Sequence, residues 1–226
     1  MENINTSCTD KMNILYSVIN RISSEKLRVL VNKYIENTVR DESKCTSLEE
    51  APGEILEHHS YPCGLIEHTL SVTLISESIA SIIKVVYGIN VNIDLVRACA
   101  ILHDIYKVYE FEFKNGKITR CSSYYPHDAL ISSRILIEGG ERDLAKCIIE
   151  VHGYYDYTSI ESLLVGLADQ YDAKFHETIQ SKIFNMLEAK ESQSIEKLYE
   201  YLKKGRWRDK RELENIMKTL IKNPLR

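Results

Sequence analysis

The residues best suited to chemistry lie in one short run, Ala98-Cys99-Ala100-Ile101-Leu102-His103-Asp104-Ile105-Tyr106-Lys107. A His and an Asp stand side by side there, at the end of a segment that is otherwise almost wholly apolar. A carboxylate buried in hydrocarbon is costly without a partner, so Asp104 is expected to meet a cation or several donors. Successive helical residues point about 100° apart, so the two side chains converge only on a third body between them. A metal ion is the simplest such body, accepting imidazole nitrogen and carboxylate oxygen at about 2.0–2.2 Å. The plain alternative is a capping Asp beside a hydrogen-bonded core His.

Four further groups weigh against that alternative. His68, His127, His152 and Asp169 each sit on, or at the end of, an apolar helical face. Five helices that each offer a ligand type to the interior are hard to explain by packing, whereas helix bundles build metal sites in this way. Mixed imidazole and carboxylate ligation suits Mn, Fe, Co, Ni or Zn better than the all-oxygen sites of Ca or Mg. The expected cofactor is one or two divalent ions from that group, with Mg kept as a further option. Six protein ligands exceed what one ion needs if a water position stays open, and two ions sharing one carboxylate would use them all. Such a pair clamps the attacking and leaving oxygens of a phosphoryl displacement and lowers the pKa of bound water.

The elements that must position these groups are mostly helices. Apolar stripes predict helices over residues 10–22 and 24–38, with Ser24 as an N-cap. Residues 39–56 are polar and irregular, broken at Ala51-Pro52-Gly53. A long helix follows over 65–87, with His68 on its apolar face, and then a helix over 93–104, capped by Asn92 and apolar nearly all round. Phe111 and Phe113 alternate with polar residues before Asn115-Gly116, which predicts one short β-hairpin. Pro126 opens a helix to about Glu138 that Gly139-Gly140 stops. Another runs from Arg142 to His152, with Gly153 just past its end. A long helix spans Ser159 to Lys190, and the tail from Ser194 forms two short helices broken at Gly205. The expected fold class is an all-α bundle with one hairpin. Its expected units are 1–54, N-terminal helices packed on the core; 55–190, the core; and 191–226, a basic helical tail.

Composition narrows the function. The chain has 226 residues, 44% hydrophobic and 27% charged, within the range of globular proteins. A net charge of −4 argues against a generally basic coat for nucleic acid. Residues 201–226 hold nine Lys/Arg against three Asp/Glu, so +6 stands on a body of −10. The six cysteines form no CxxC pair and no zinc-finger spacing, and Cys99 and Cys147 lie in apolar helical patterns like small hydrophobes. They are expected to be reduced. The N-terminus lacks the features of a signal peptide, and Leu70–Ile89 is interrupted by Glu77 and Lys84, so a cytoplasmic protein without a membrane span is expected.

Three motifs occur in order: Gly64-Leu65-Ile66-Glu67-His68-Thr69, Leu102-His103-Asp104-Ile105-Tyr106-Lys107 and Ala168-Asp169-Gln170-Tyr171-Asp172-Ala173. This order resembles the HD-domain superfamily of metal-dependent phosphohydrolases, all-α proteins that cleave phosphomonoesters and phosphodiesters of nucleotides and nucleic acids. His58-His59-x-Tyr61 before Gly-Leu-x-x-His-Thr is closest in style to the HD module of YhaM-type 3′–5′ exoribonucleases. The resemblance implies that His68, His103, Asp104 and Asp169 hold a first metal, that Asp104 bridges, and that His127 and His152 hold a second. It places Lys107 at the substrate phosphate as charge stabiliser, which with Asp104 makes the expected catalytic pair. Tyr106 departs from the family's usual Gly and is expected to narrow the site. About 55 residues precede the motif region, too few for the OB domain of the exonucleases, which lowers the expectation of processive exonuclease work.

Several residues keep two readings. His58 and His59 either bind substrate phosphate or are solvated in their loop. Asp172 is expected to orient a ligand or cap a neighbour rather than bind metal, and His176 is expected at the surface. Tyr154, Tyr155 and Tyr157 either stack a base or simply pack. The run Lys203-Lys204-Gly205-Arg206-Trp207-Arg208 is either a nucleic-acid contact or a helix end docked by Trp207. The expected activity is hydrolysis of a phosphoester of a nucleotide or single-stranded nucleic acid by metal-activated water. The rivals are a nucleotidase or cyclic-nucleotide phosphodiesterase, and a regulatory module that keeps the pocket without turnover.

Overall fold

A computed structural model describes residues 7–115, 117–121, 126–138, 140–189 and 195–220. The helices are α1 (Cys8–Asn20), α2 (Glu25–Arg40), α3 (Gly64–Tyr87), α4 (Ile93–Leu102), α5 (His127–Ile137), α6 (Arg142–Glu150), α7 (Ile160–Ala189), α8 (Ile195–Lys203) and α9 (Lys210–Met217). Strands β1 (Phe111–Lys114) and β2 (Lys117–Arg120) pair antiparallel, Phe111 opposite Arg120. This is the all-α bundle with one hairpin. Gly116 of the expected turn, Gly139 of the expected stop, and Lys190 and Ser194 at the helix boundaries lie outside the described residues.

Local chemistry accounts for the helix starts. The Ser7 hydroxyl accepts from the Asp10 amide at 3.1 Å while the Asp10 carboxylate accepts from the Ser7 amide at 3.0 Å, a reciprocal cap. Ser24 and Asn92 cap α2 and α4 through the amides of Leu27 and Leu95. Helix α4 is central: Val96 and every residue from Ala98 to Leu102 are fully buried, and α4 packs against α2, α3, α6 and α7. Helix α3 is long and apolar enough to cross a membrane, but it packs along α7, α4 and α1.

Two expectations are corrected here. Helix α4 does not run to Asp104: it ends at Leu102, His103 caps it, and a 3-10 turn follows over Ile105–Tyr109. Asp104 lies between them at φ −111°, ψ −7°, so the chain leaves helical geometry at the residue whose side chain must turn. The cysteines are not free: Cys8–Cys63, Cys45–Cys121 and Cys99–Cys147 form disulfides between residues 48 to 76 apart in sequence. Pairs so distant leave no local spacing to read. Their pairing removes the reduced-thiol argument for a cytoplasmic location.

The irregular stretch before α3 is held in a tight fold. Cys45 donates its amide to the Val108 carbonyl, and the Gly53 amide bonds the His59 carbonyl at 2.9 Å. A Cβ on Gly64 would fall 2.0 Å from the His59 oxygen, so only glycine allows the loop to lie against the start of α3. His59 itself is held at φ +48°, a conformation that costs a non-glycine residue energy and survives only where its surroundings enforce it.

Candidate metal centre

The start of the 3-10 turn, the ends of α3, α4, α5 and α6 and the third turn of α7 bring the expected ligands together. His68 Nε2 lies 3.2 Å from Asp104 Oδ2, 3.1 Å from Asp169 Oδ1 and 3.4 Å from His103 Nε2. On the other side, Asp104 Oδ1 lies 2.8 Å from His127 Nε2 and 3.4 Å from His152 Nε2, and these two nitrogens face each other at 3.1 Å. The six side chains form two ligand groups, His68/His103/Asp169 and His127/His152/Asp104, with one Asp104 oxygen turned to each.

The residues fit a divalent ion on each side. Both Asp104 oxygens are buried and make no hydrogen bond of acceptable geometry, although Lys107 Nζ stands 2.7 Å from Oδ2. Imidazole nitrogens aimed at one another across 3.1 and 3.4 Å are spaced like neighbouring ligands on one ion, which stand about 3.0–3.4 Å apart for bonds near 2.1 Å. On three of these four rings the other nitrogen is held. His68 Nδ1 lies 2.7 Å from Asp172 Oδ2, His103 Nδ1 2.8 Å from the Ala100 carbonyl, and His127 Nδ1 2.9 Å from Glu110 Oε1. Partners of this kind fix ring orientation and raise ligand basicity.

Electrostatics point the same way. Burial opposes charge on His68, but Asp104, Asp169 and Asp172 outweigh it and raise its pKa well above the usual value. His152 is likewise penalised by burial, and Asp104 and Asp169 push it up to about 9. Burial would raise the Asp104 carboxyl, yet Lys107, His103 and His127 hold it well below its usual range. Without metal, protons on His68 and His152 supply positive charge that the carboxylates demand, and an ion must displace them.

A cavity of about 670 Å³ opens over the cluster, lined at its floor by His127, His152, Asp169, Lys107 and His58. Tyr154 and Tyr155 stand exposed at its mouth. Tyr157 instead packs against Gly166 and lies 3.5 Å from the Val151 carbonyl. His58 is buried rather than solvated, and burial together with the nearby His68 and Lys107 lowers its pKa well below the usual value. His59, which the sequence left between substrate contact and a solvated loop, is buried and does not line this cavity: Nε2 meets Asp172 Oδ2 at 2.8 Å and Nδ1 meets the Tyr61 hydroxyl at 3.1 Å. Tyr106 does not narrow the site. Its ring is buried against Tyr34 and Tyr109, and its hydroxyl accepts from Arg134, away from the cavity.

His176 is not at the surface. It is buried, stacked on His59 with ring centres 3.7 Å apart. Two supporting residues, Glu110 and Gln180, carried no motif. Gln180 accepts from the Ser60 amide at 2.9 Å and steadies the His58-His59 loop. The readable signal was on α7, where Asp169, Asp172, His176 and Gln180 recur every three or four residues as a polar stripe facing inward.

The HD domain family matches residues 65–174. The chain is also 33% identical, over 175 residues, to the dihydroneopterin 2′,3′-cyclic phosphate phosphodiesterase of Methanocaldococcus jannaschii, an alignment covering 74% of this chain and 70% of that protein. No solved structure gives a significant match. With the ordered motifs folded into one cluster of imidazoles and carboxylates, the chain belongs to the HD-domain family and is a metal-dependent phosphohydrolase.

Proposed function

We propose that this phosphohydrolase is a phosphodiesterase that opens the cyclic phosphate of a small, nucleotide-derived molecule. The observation that carries the reading is Asp104, a buried carboxylate with one oxygen turned to each of two ligand groups at the floor of a cavity. The similarity to a cyclic phosphate phosphodiesterase favours the cyclic diester among phosphoesters. His68, His103, Asp104 and Asp169 would hold one ion, and His127 and His152, with Asp104 shared, the other. Bound there, divalent ions would supply Lewis acidity and lower the pKa of attacking water.

The chain's own residues bind and orient. Lys107, held as an ammonium by Asp104 and Glu54 despite its burial, puts positive charge beside the reacting phosphate. The buried His58 imidazole lines the same floor and supports a contact to a phosphate oxygen. Tyr154 and Tyr155 offer ring faces to a heterocycle at the mouth. Glu54, Glu57 and Asp128 also line the cavity, and such negative charge disfavours a long polyanionic strand relative to a single phosphate. Tyr106, the departure from the family pattern that would favour a pocket without turnover, does not line the cavity, which supports turnover.

The test is a panel of phosphoesters with Mn²⁺, followed by phosphorus NMR. A 2′,3′-cyclic phosphate should open to a monoester at a kcat/KM at least about 100-fold above that of a linear oligonucleotide or a nucleoside monophosphate. Release of inorganic phosphate from the monophosphate, with the cyclic diester untouched, would make the chain a nucleotidase instead.

A further inference from the structure

We infer that Arg208, in the C-terminal segment, is a positioning residue for the metal centre, acting on His68 through a buried chain of polar side chains. The inference rests on His68 being a metal ligand. Arg208 Nη2 lies 2.6 and 2.8 Å from the two oxygens of Glu67, which also accepts from Lys11 at 2.7 Å. Glu67 Oε2 accepts from the Tyr61 hydroxyl at 2.8 Å, and that hydroxyl lies 3.1 Å from His59 Nδ1. His59 Nε2 meets Asp172 Oδ2 at 2.8 Å, and the same oxygen accepts from His68 Nδ1 at 2.7 Å. Tyr61, His59, Asp172 and His68 are all at least nine-tenths buried, so water does not replace a lost partner in this chain.

Two more contacts make the C-terminal segment part of the arrangement. Trp207 packs its ring against His176 at 4.9 Å and Tyr61 at 6.5 Å, closing the outer side of the stack that holds His59. Lys182 of α7 donates to the carbonyls of Met217 and Thr219, which docks the end of α9 on the same helix that carries Asp169 and Asp172. Glu67 also sits in the first turn of α3, one residue before His68, so its two cationic partners fix where that turn begins. Removing the guanidinium leaves a largely buried carboxylate short of two charge-assisted bonds. Glu67 must then shift, and Tyr61, His59 and Asp172 follow it. The basic tail thus includes a structural cation directed inward, not only a solvated charge cluster.

The test measures Mn²⁺ affinity of the whole 226-residue chain, freed of metal, by competition with a chelating fluorophore, alongside thermal melts. The site that contains His68 should weaken about tenfold in Arg208→Met, the low end of what supporting partners of metal ligands contribute. The His127/His152 site should change less, and Arg208→Lys should recover part of the loss. Tyr61→Phe, which removes one hydroxyl, should weaken the same site while keeping the parent's circular dichroism. Lys210→Met removes the same charge from an exposed position and should match the parent. A parent that binds no Mn²⁺ overturns the metal assignment and this inference together. A parent that binds, with Arg208→Met and Tyr61→Phe at parental affinity, overturns this inference alone. Should Arg208→Met fail to fold, Tyr61→Phe decides.

Discussion

Asp104 has two neighbourhoods, and its behaviour on substitution should show both. Asp104→Asn keeps the shape and removes the charge that two imidazole pairs face, so metal content by elemental analysis should fall and hydrolysis should drop by more than about 100-fold, beyond what supporting residues contribute. Full metal content in that variant would mean that the carboxylate is structural. Lys107→Met should leave metal content intact while kcat falls about 10²–10³-fold, because the role proposed for its ammonium is to stabilise charge rather than to bind the ion. Protons and metal compete at the imidazoles, and His152 sets the sign. Its folded pKa is raised to about 9, so its proton stabilises the metal-free fold fully below the unfolded value near 6.5 and stops doing so as pH rises through 9. Metal binding displaces that proton, so affinity grows over the same interval. The gap between the melting temperatures of Mn²⁺-loaded and metal-free protein should therefore widen from pH 6.5 to 8.5. A gap that narrows would mean that His152 is not displaced from its proton by the ion.

At the scale of elements, Tyr106 separates packing from chemistry. It sits two residues after Asp104, yet its 3-10 turn carries the ring to the α2 side, against Tyr34. Tyr106→Phe should leave KM and kcat unchanged and cost about 0.5–1.5 kcal/mol through the lost Arg134 bond, measured by denaturant unfolding. A changed KM would put the hydroxyl back at the substrate. Periodicity made the helices that carry His68, His127, His152 and Asp169 legible, because each buries one apolar face and the ligand rides on it. The break after Leu102 was not legible: an apolar run reads as helix until its end, and only Asp104's need to face two groups turns the chain there. Nor could the pattern reveal that residues 41–63 fold back onto α3, since that path depends on close backbone approach at Gly53 and Gly64. His176 looked exposed because its stripe is polar, and polar stripes face inward only when other polar groups wait for them.

For the whole molecule, three disulfides tie α1 to the residue before α3, the loop at Cys45 to Cys121 just past β2, and α4 to α6. Each closes a long loop and would stabilise the fold by on the order of 4 kcal/mol on a chain-entropy estimate. Alkylation of the unfolded, unreduced protein should therefore label no cysteine, and reduction should lower the melting temperature; six labelled thiols without reduction would show that the pairs do not form. Charge asymmetry was visible along the chain, but not its direction in space, where Arg208 turns inward to Glu67. Two ion sites that share Asp104 should differ in strength, because among the described residues the His127/His152 ligand group contains no carboxylate besides that shared one. The direct measurement is an Mn²⁺ titration of metal-free protein, with stoichiometry and hydrolysis read together, for the parent and for His127→Ala, His152→Ala, His68→Ala and Asp169→Ala. The parent should bind one ion tightly and a second more weakly, with His127→Ala and His152→Ala losing only the second and most of the hydrolysis. The same stoichiometry and rate in those two variants as in the parent would contradict the shared centre and leave the reaction to a single ion.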